Sequence, residues 1–176
     1  MANDVITDIR SRIIAMIGAM TIEGGYNFDY DATSINTNDW DLAQAFQSGD
    51  SLDDIFPIVE IRVLDERPLF NPDTGVNGNI ALNDRDFEIT IYPLSTMENL
   101  DNQLNKCSED LKKLFFADYD LRGTILESST PKCRQAYYAG EVRVESNSNL
   151  KKCAGAIIWT LTVRYGQDID SVRTLT

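Results

Sequence analysis

The sequence predicts an α+β fold: a long helix packed across one face of a mostly antiparallel sheet of four strands or slightly more, with an amphipathic helix at the N-terminus. Two segments, 4–20 and 96–117, carry apolar residues at helical spacing. Strand-like alternation of apolar and polar residues precedes and follows the second of them. The 176 residues fit one domain over 1–176, which can bury roughly 70% of its unfolded surface.

The N-terminal helix is predicted over residues 4–20, because apolar residues recur every four positions at Val5, Ile9, Ile13 and Ile17. Asn3 or Asp4 can cap it, and Thr21–Gly25 ends it. Beyond it, aromatic residues alternate with polar ones over residues 26–30, which predicts a short strand.

The segment 31–54 is predicted as a long excursion, because it is rich in Asn, Asp, Ser and Thr. Loops of this length in compact domains are usually functional or disordered. Trp40, Leu42 and Phe46 are its larger apolar anchors, so we expect partial order and one short helix near Asp41–Gln47.

Two strands are predicted at Phe56–Leu64 and Asp86–Tyr92, where apolar side chains alternate with polar ones. The residues between them, 65–85, include four turn-forming residues, Pro68, Pro72, Gly75 and Gly78. This segment is predicted as a hairpin loop that projects from the sheet.

The long helix is predicted over residues 96–117, where two interleaved apolar rows form one seam. The rows are Met97, Leu104 and Leu111, and Leu100, Cys107 and Leu114. At ~1.5 Å per residue the helix is about 33 Å long, enough to cross four strands. A coiled coil is the alternative, but it usually needs more heptads and flanking charge pairs.

The last two strands are predicted to form a hairpin. Gln135–Glu145 is expected to direct Val142 and Val144 inward, and Gly155–Tyr165 carries an apolar face that includes Trp159. From residue 166 onward the chain is polar, which predicts a loose C-terminal tail.

Composition restricts the class of function. The net charge is -12 and the pI is near 4.3. A negatively charged chain is poorly suited to bind nucleic acid or an anionic membrane, because both carry negative charge as well. The charge serves solubility, repels nucleic acid or meets a basic partner. No apolar stretch approaches the ~20 residues that span a bilayer, and no signal-like segment opens the chain, so we expect folding in a cytoplasm. Three widely spaced cysteines, Cys107, Cys133 and Cys153, are expected to be free thiols.

The chemistry-bearing residues do not form a recognisable catalytic, cofactor or metal motif. Histidine is absent, which removes the usual general base and the commonest metal ligand. Three Asp-x-Asp pairs could share a divalent cation, at Asp29/Asp31, Asp39/Asp41 and Asp168/Asp170. The calcium-loop pattern fails after Asp29, because Ser34 and Trp40 stand where it requires Gly and Glu. The sequence therefore predicts no catalytic residue, no cofactor and no metal site.

The whole layout resembles the tail terminator (tail completion) proteins of tailed bacteriophages. An Ile-rich opening helix at Asp8–Ile14 leads to the strands at Phe56–Ile61 and Phe87–Ile91. The long helix and a closing hairpin that ends in Ile157–Tyr165 follow. The likeness lies in the order and texture of the elements over most of the chain, and the 31–54 excursion departs from the family pattern.

This resemblance implies a structural virion protein at the head-proximal end of the tail, assembled in the host cytoplasm. A ring, usually of six copies, would stop polymerisation of the tail tube, contact the head–tail connector and any tail sheath, and let DNA pass through its pore. The 65–85 hairpin, which is long and turn-rich, is the segment expected to contact the tube, and a solvated loop without a partner is the alternative. Its expected contact residues are Leu69, Phe70, Asn71, Asp73 and Asn77.

Three alternatives stay open at the level of sequence. One is another head–tail joining or neck protein of similar build. Another is a metal-dependent carboxylate enzyme that uses the Asp29/Asp31 region. The third is an acidic module that mimics nucleic acid and blocks a basic partner.

Overall fold

The computed structural model describes residues 5–30, 35–36, 56–68, 80–117, 133–145 and 154–168. These residues form two helices and five strands. In chain order the elements are α1 (Val5–Gly18), β1 (Ile35–Asn36), β2 (Ile58–Pro68), β3 (Ile80–Tyr92), α2 (Leu100–Ala117), β4 (Cys133–Glu145) and β5 (Gly155–Asp168).

The strands form one sheet in the order β1-β2-β3-β5-β4. The four long strands are antiparallel to their neighbours, and the two-residue β1 pairs with β2 in parallel. The last strand therefore lies in the interior of the sheet, between β3 and β4. This arrangement confirms the predicted α+β class and the predicted pairing of the last two strands.

Both helices pack on the same face of the sheet, and the core lies between the two layers. In α1 the buried residues are Ile9, Ile13, Met16 and Ile17, and in α2 the buried apolar ones are Leu100, Leu104, Cys107, Leu111 and Phe115. Each predicted helical stripe thus faces the sheet, with Met97 as the exception. Trp159 is fully buried in this core and stacks on Phe115 and on Tyr138, at centroid distances of 5.3 and 4.9 Å.

The long helix begins later than predicted. Met97 is 62% exposed and precedes α2, so it does not belong to the apolar seam. The reason is a local cap: the Asn99 side chain accepts a hydrogen bond from the Thr96 backbone N–H at 2.8 Å. The Asn99 backbone N–H also donates to the Thr96 carbonyl at 3.2 Å, so these two bonds close a turn before the helix begins at Leu100.

The strand predicted at residues 26–30 is wrong, because this segment pairs with no other strand in the described structure. Its alternation has another cause. Tyr30 is buried in the core, and Phe28 packs against it edge-to-face. The backbone is held instead by the Tyr30 N–H bond to the Met20 carbonyl and by the Asn27 N–H bond to Asp110.

The arms of the 65–85 hairpin were predicted too short. β2 continues to Pro68 and β3 starts at Ile80, so much of this range is paired strand and not projecting loop. The register shifts between Val63 and Glu66, which interrupts the alternation that identified the strand. Residues 69–79 lie outside the described residues.

The other two irregular segments were also predicted too long. Gly166–Asp168, expected in a loose tail, belong to β5 and pair with the start of β3, since Gly166 faces Leu82 and Asp168 faces Ile80. Ile35–Asn36, expected in the excursion, pair with Val59 and Glu60. The expected helix at 41–47 and the rest of the tail lie outside the described residues.

The predicted inward orientation of Val142 and Val144 is wrong. Their side chains are 59% and 43% exposed. A bulge between Tyr138 and Gly140 inserts one residue into β4, and Gly140 adopts a φ of 154° there. Because one extra residue exchanges the two faces of a strand, Glu141 and Arg143 point to the helix side after the bulge, and the valines point away.

Candidate functional site

The five predicted contact residues lie outside the described residues. Leu69, Phe70, Asn71, Asp73 and Asn77 all fall within 69–79. The tube-contacting role of this hairpin therefore stays a prediction. The structure describes only its base, where Pro68 of β2 pairs with Asn83 of β3.

The described surface with the most organised chemistry is the side of the sheet that points away from α1 and α2, here called the far face. Its charged residues are arranged in pairs. Arg62 contacts Glu60 at 2.7 Å and Glu88 at 4.0 Å, Arg67 contacts Asp86 at 2.6 Å, and Arg164 contacts Asp84 at 2.9 Å. Three guanidinium groups thus face four carboxylates, so the far face is close to neutral on a chain whose net charge is -12.

Asp84 is the best-connected carboxylate of the far face, and it is 5% exposed. Arg164 donates to both of its oxygens, at 2.9 and 3.1 Å, and the Tyr137 hydroxyl donates at 3.1 Å. Burial raises the pKa of Asp84, but the bonds from Arg164 and Tyr137 outweigh it and hold that pKa below the ordinary 3.8. The trio ties β3, β5 and β4 together across the far face.

Replacing Asp84 with asparagine should lower the free energy of unfolding by about 1–2 kcal/mol, because the charge-assisted hydrogen bonds from Arg164 are lost. The loss is modest because the Arg164 side chain is partly exposed to solvent. Since the folded-state pKa is depressed, the stabilisation is complete above pH 3.8 and is lost as the pH falls through the folded-state value. Urea unfolding at several pH values should show the difference from wild type shrinking in acid. Asp65→Asn, at an exposed carboxylate of β2, should change stability by less than about 0.5 kcal/mol and serves as control.

An apolar surface lies beside this network at the edge of the sheet. It consists of Tyr137, Val142 and Val144, here called the β4 patch, which are 37%, 59% and 43% exposed. All three point to the far face, because they face Thr162, Ile158 and Ala156 of β5. β4 is the last strand in the sheet order, so one side of its backbone has no strand partner among the described elements.

Polar contacts with α2 hold β4 in this orientation. The Ser108 hydroxyl donates to Glu141 at 2.6 Å, and Arg143 donates to Asn105 at 2.7 Å and to Glu141 at 3.2 Å. Burial raises the pKa of Glu141, but the bonds from Ser108 and Arg143 and the nearby Lys112 leave it below its ordinary value. Since Glu141 and Arg143 tie the helix side of β4 to α2, the alternating residues Val142 and Val144 are presented outward.

A buried carboxylate that sequence reasoning missed lies on α2. Asp110 is 2% exposed and accepts bonds from the Asn27 backbone N–H at 2.9 Å, the Asn27 side-chain amide at 2.9 Å and the Tyr30 hydroxyl at 3.2 Å. Burial is the largest influence on it and raises its pKa despite these bonds. The available signal was its position three residues after Cys107, on the apolar side of the helix. Asp110 fastens the segment after α1 onto α2.

None of the three Asp-x-Asp pairs lies wholly within the described residues. The Asp29 carboxylate accepts a hydrogen bond from the Ile22 backbone N–H at 2.7 Å, while Asp31, Asp39, Asp41 and Asp170 lie outside the described residues. The ranges that the structure describes hold no cluster of three or more potential metal ligands. Neither described helix has the length and apolar character needed to cross a membrane.

Comparison with family models gives no match to this chain, and comparison with curated proteins gives none either.

Proposed function

We propose that this chain is a structural virion protein, a tail terminator that forms a homo-oligomeric ring. The ring would cap the tail tube, stop its polymerisation and join it to the head–tail connector, with the tail sheath as a further neighbour where the tail has one. The observation that carries the proposal is the one-sided architecture of the described elements. Both helices pack on one face of the sheet, and the far face ends in a long edge strand with exposed valines.

The one-sided architecture favours assembly because natural sheets rarely leave a long edge strand with apolar side chains exposed unless something pairs with it or covers it. β4 is thirteen residues long, beyond the usual length of protective edge strands. The order of the long elements that underlies the resemblance to tail terminators is present as well: an opening helix, the strands β2 and β3, a long helix and the strands β4 and β5, with the two-residue β1 in addition.

The charge distribution supports the same role. A ring through which DNA passes should not bind phosphate, and each copy brings a net charge of -12 to the assembly. The arginines of the far face are engaged by carboxylates, so they are poorly placed to grip a nucleic acid backbone. Acidic side chains that face the pore would let DNA slide without release of counterions.

The test measures assembly and capping together. Light scattering coupled to size exclusion should give the mass of a ring of several copies, with six expected. Negative-stain images of polymerising tail-tube protein should show shorter tubes with a ring at one end when the chain is added. A monomer at all concentrations that leaves tube length unchanged would contradict the proposal. Rings whose pore is lined with lysine and arginine would contradict the account of DNA passage alone.

A further inference from the structure

We infer that the β4 patch is the surface by which one copy of this chain contacts the next copy in the assembly. The inference rests on the proposed ring and goes beyond it by assigning the contact to Tyr137, Val142 and Val144. It commits to a second copy as the occupant, not to a basic protein or a nucleic acid.

The geometry of the patch favours a protein contact. Val142 and Val144 are two positions apart on one strand, so their side chains stand about 7 Å apart on the same face. Tyr137 extends the surface along β4, and it also donates to Asp84, which fixes its ring. Exposed β-branched side chains on an edge strand lose little conformational entropy when they are buried, since χ1 is already restricted.

The charge distribution favours a second copy of the chain as the occupant of the patch. Two copies at -12 each repel one another, so they can approach closely only through surfaces where charge is locally compensated. The far face meets this condition, because Asp84, the carboxylate beside the patch, is paired with Arg164. A basic partner would gain more by contacting surface where acidic side chains are unpaired, so a near-neutral apolar patch on an acidic chain suits another acidic chain.

The free edge adds a second element of recognition. β4 pairs with β5 on one side only among the described strands, so its other side can hydrogen-bond to backbone of a neighbouring copy. A closed ring of more than two copies repeats one heterologous contact, so the patch must meet a different surface of the next copy. The bulge at Gly140 is then functional, because without it the valines would point into the core.

The experiment compares two double variants that add the same charge. Val142→Asp/Val144→Asp should weaken the association of copies by roughly 100-fold or more, measured as the concentration at which the ring mass is half lost. Ile22→Asp/Phe116→Asp, at residues 58% and 63% exposed but outside the patch, should keep the wild-type ring. Thermal unfolding checks that both variants fold, and Val142→Glu/Val144→Glu, which adds the same charge, replaces the first variant if it does not.

The outcomes separate this inference from the proposed function. A wild-type ring that persists in a folded patch variant would overturn the inference and leave the ring intact. A wild-type dimer that the patch variant alone dissociates would support the copy-to-copy contact and overturn the ring. A monomeric wild-type protein that does not cap tubes would overturn both.

Discussion

Replacing Trp159 with alanine should lower the free energy of unfolding by about 3–5 kcal/mol, which is a large part of the stability of a domain of this size. Trp159 is fully buried in the middle of β5 and stacks on Phe115 of α2 and Tyr138 of β4. The truncation leaves a cavity where the long helix meets the sheet. Chemical unfolding followed by circular dichroism measures the loss.

Trp159→Phe is the matched variant, and it should cost less than about 1.5 kcal/mol. The indole N–H of Trp159 is buried and finds no acceptor among the described residues, so phenylalanine removes an unpaired donor while keeping an aromatic ring between the two neighbours. Equal losses in the two variants would contradict this account, because they would mean that an aromatic ring at this position contributes nothing to stability. The proposed ring should still form with both variants when they are folded, since Trp159 lies on the helix side of the sheet.

The sequence predicted best those elements that bury one face against one other layer, because their apolar residues then recur at the period of the helix or strand. Ile9, Ile13 and Ile17 form a stripe because α1 buries one side of the helix against the sheet. Leu104 and Leu111 form the corresponding buried stripe of α2. In β5 the apolar positions around Trp159 were assigned to the correct face for a related reason: the run is long and its large residues all fall on one side.

The sequence could not predict features that depend on register. In Glu141–Glu145 alternation shows that the two valines share a face, but it does not show which face, and apolar character favours the core. The bulge at Gly140 determines which face the valines occupy. A bulge is defined by the pairing of β4 with β5, which the sequence alone does not show. The register shift at Leu64–Asp65 likewise interrupts the alternation of apolar and polar residues, so the sequence did not show that β2 continues beyond it. The candidate surface was missed for this reason, while the overall layer arrangement was not.

Long-range polar contacts were equally beyond sequence reasoning. Asp110 is one acidic residue in a helix with several others, and its partners Asn27 and Tyr30 lie about eighty positions away. Only the folded chain brings them together. A period of two in residues 26–30 was therefore interpreted as a strand, although its physical origin is the insertion of Tyr30 beside α2.

Replacing Asp110 with alanine should lower the free energy of unfolding by about 1–3 kcal/mol, because the buried Tyr30 hydroxyl would lose this acceptor and the charge-assisted bonds from Asn27 would be lost as well. Asp110→Asn should recover at least half of that loss, since its amide oxygen can still accept from Asn27 and its NH₂ group can donate to the Tyr30 hydroxyl. Glu109→Gln, at an exposed neighbour on the same helix, is the control and should change stability by less than about 0.5 kcal/mol.

The pH dependence of the stability difference between wild type and Asp110→Asn shows whether burial or hydrogen bonding has the larger effect on the pKa of Asp110. Burial raises the folded-state pKa above the ordinary 3.8, so the folded protein holds the proton more tightly than the unfolded chain does. The stabilisation from this group is therefore complete below pH 3.8 and is lost as the pH rises through the folded-state value. The stability of wild type relative to Asp110→Asn should fall over that interval and level off above it. A relative stability that instead increases with pH would mean that the bonds from Asn27 and Tyr30 outweigh the cost of burying the charge, and that the pKa is lowered.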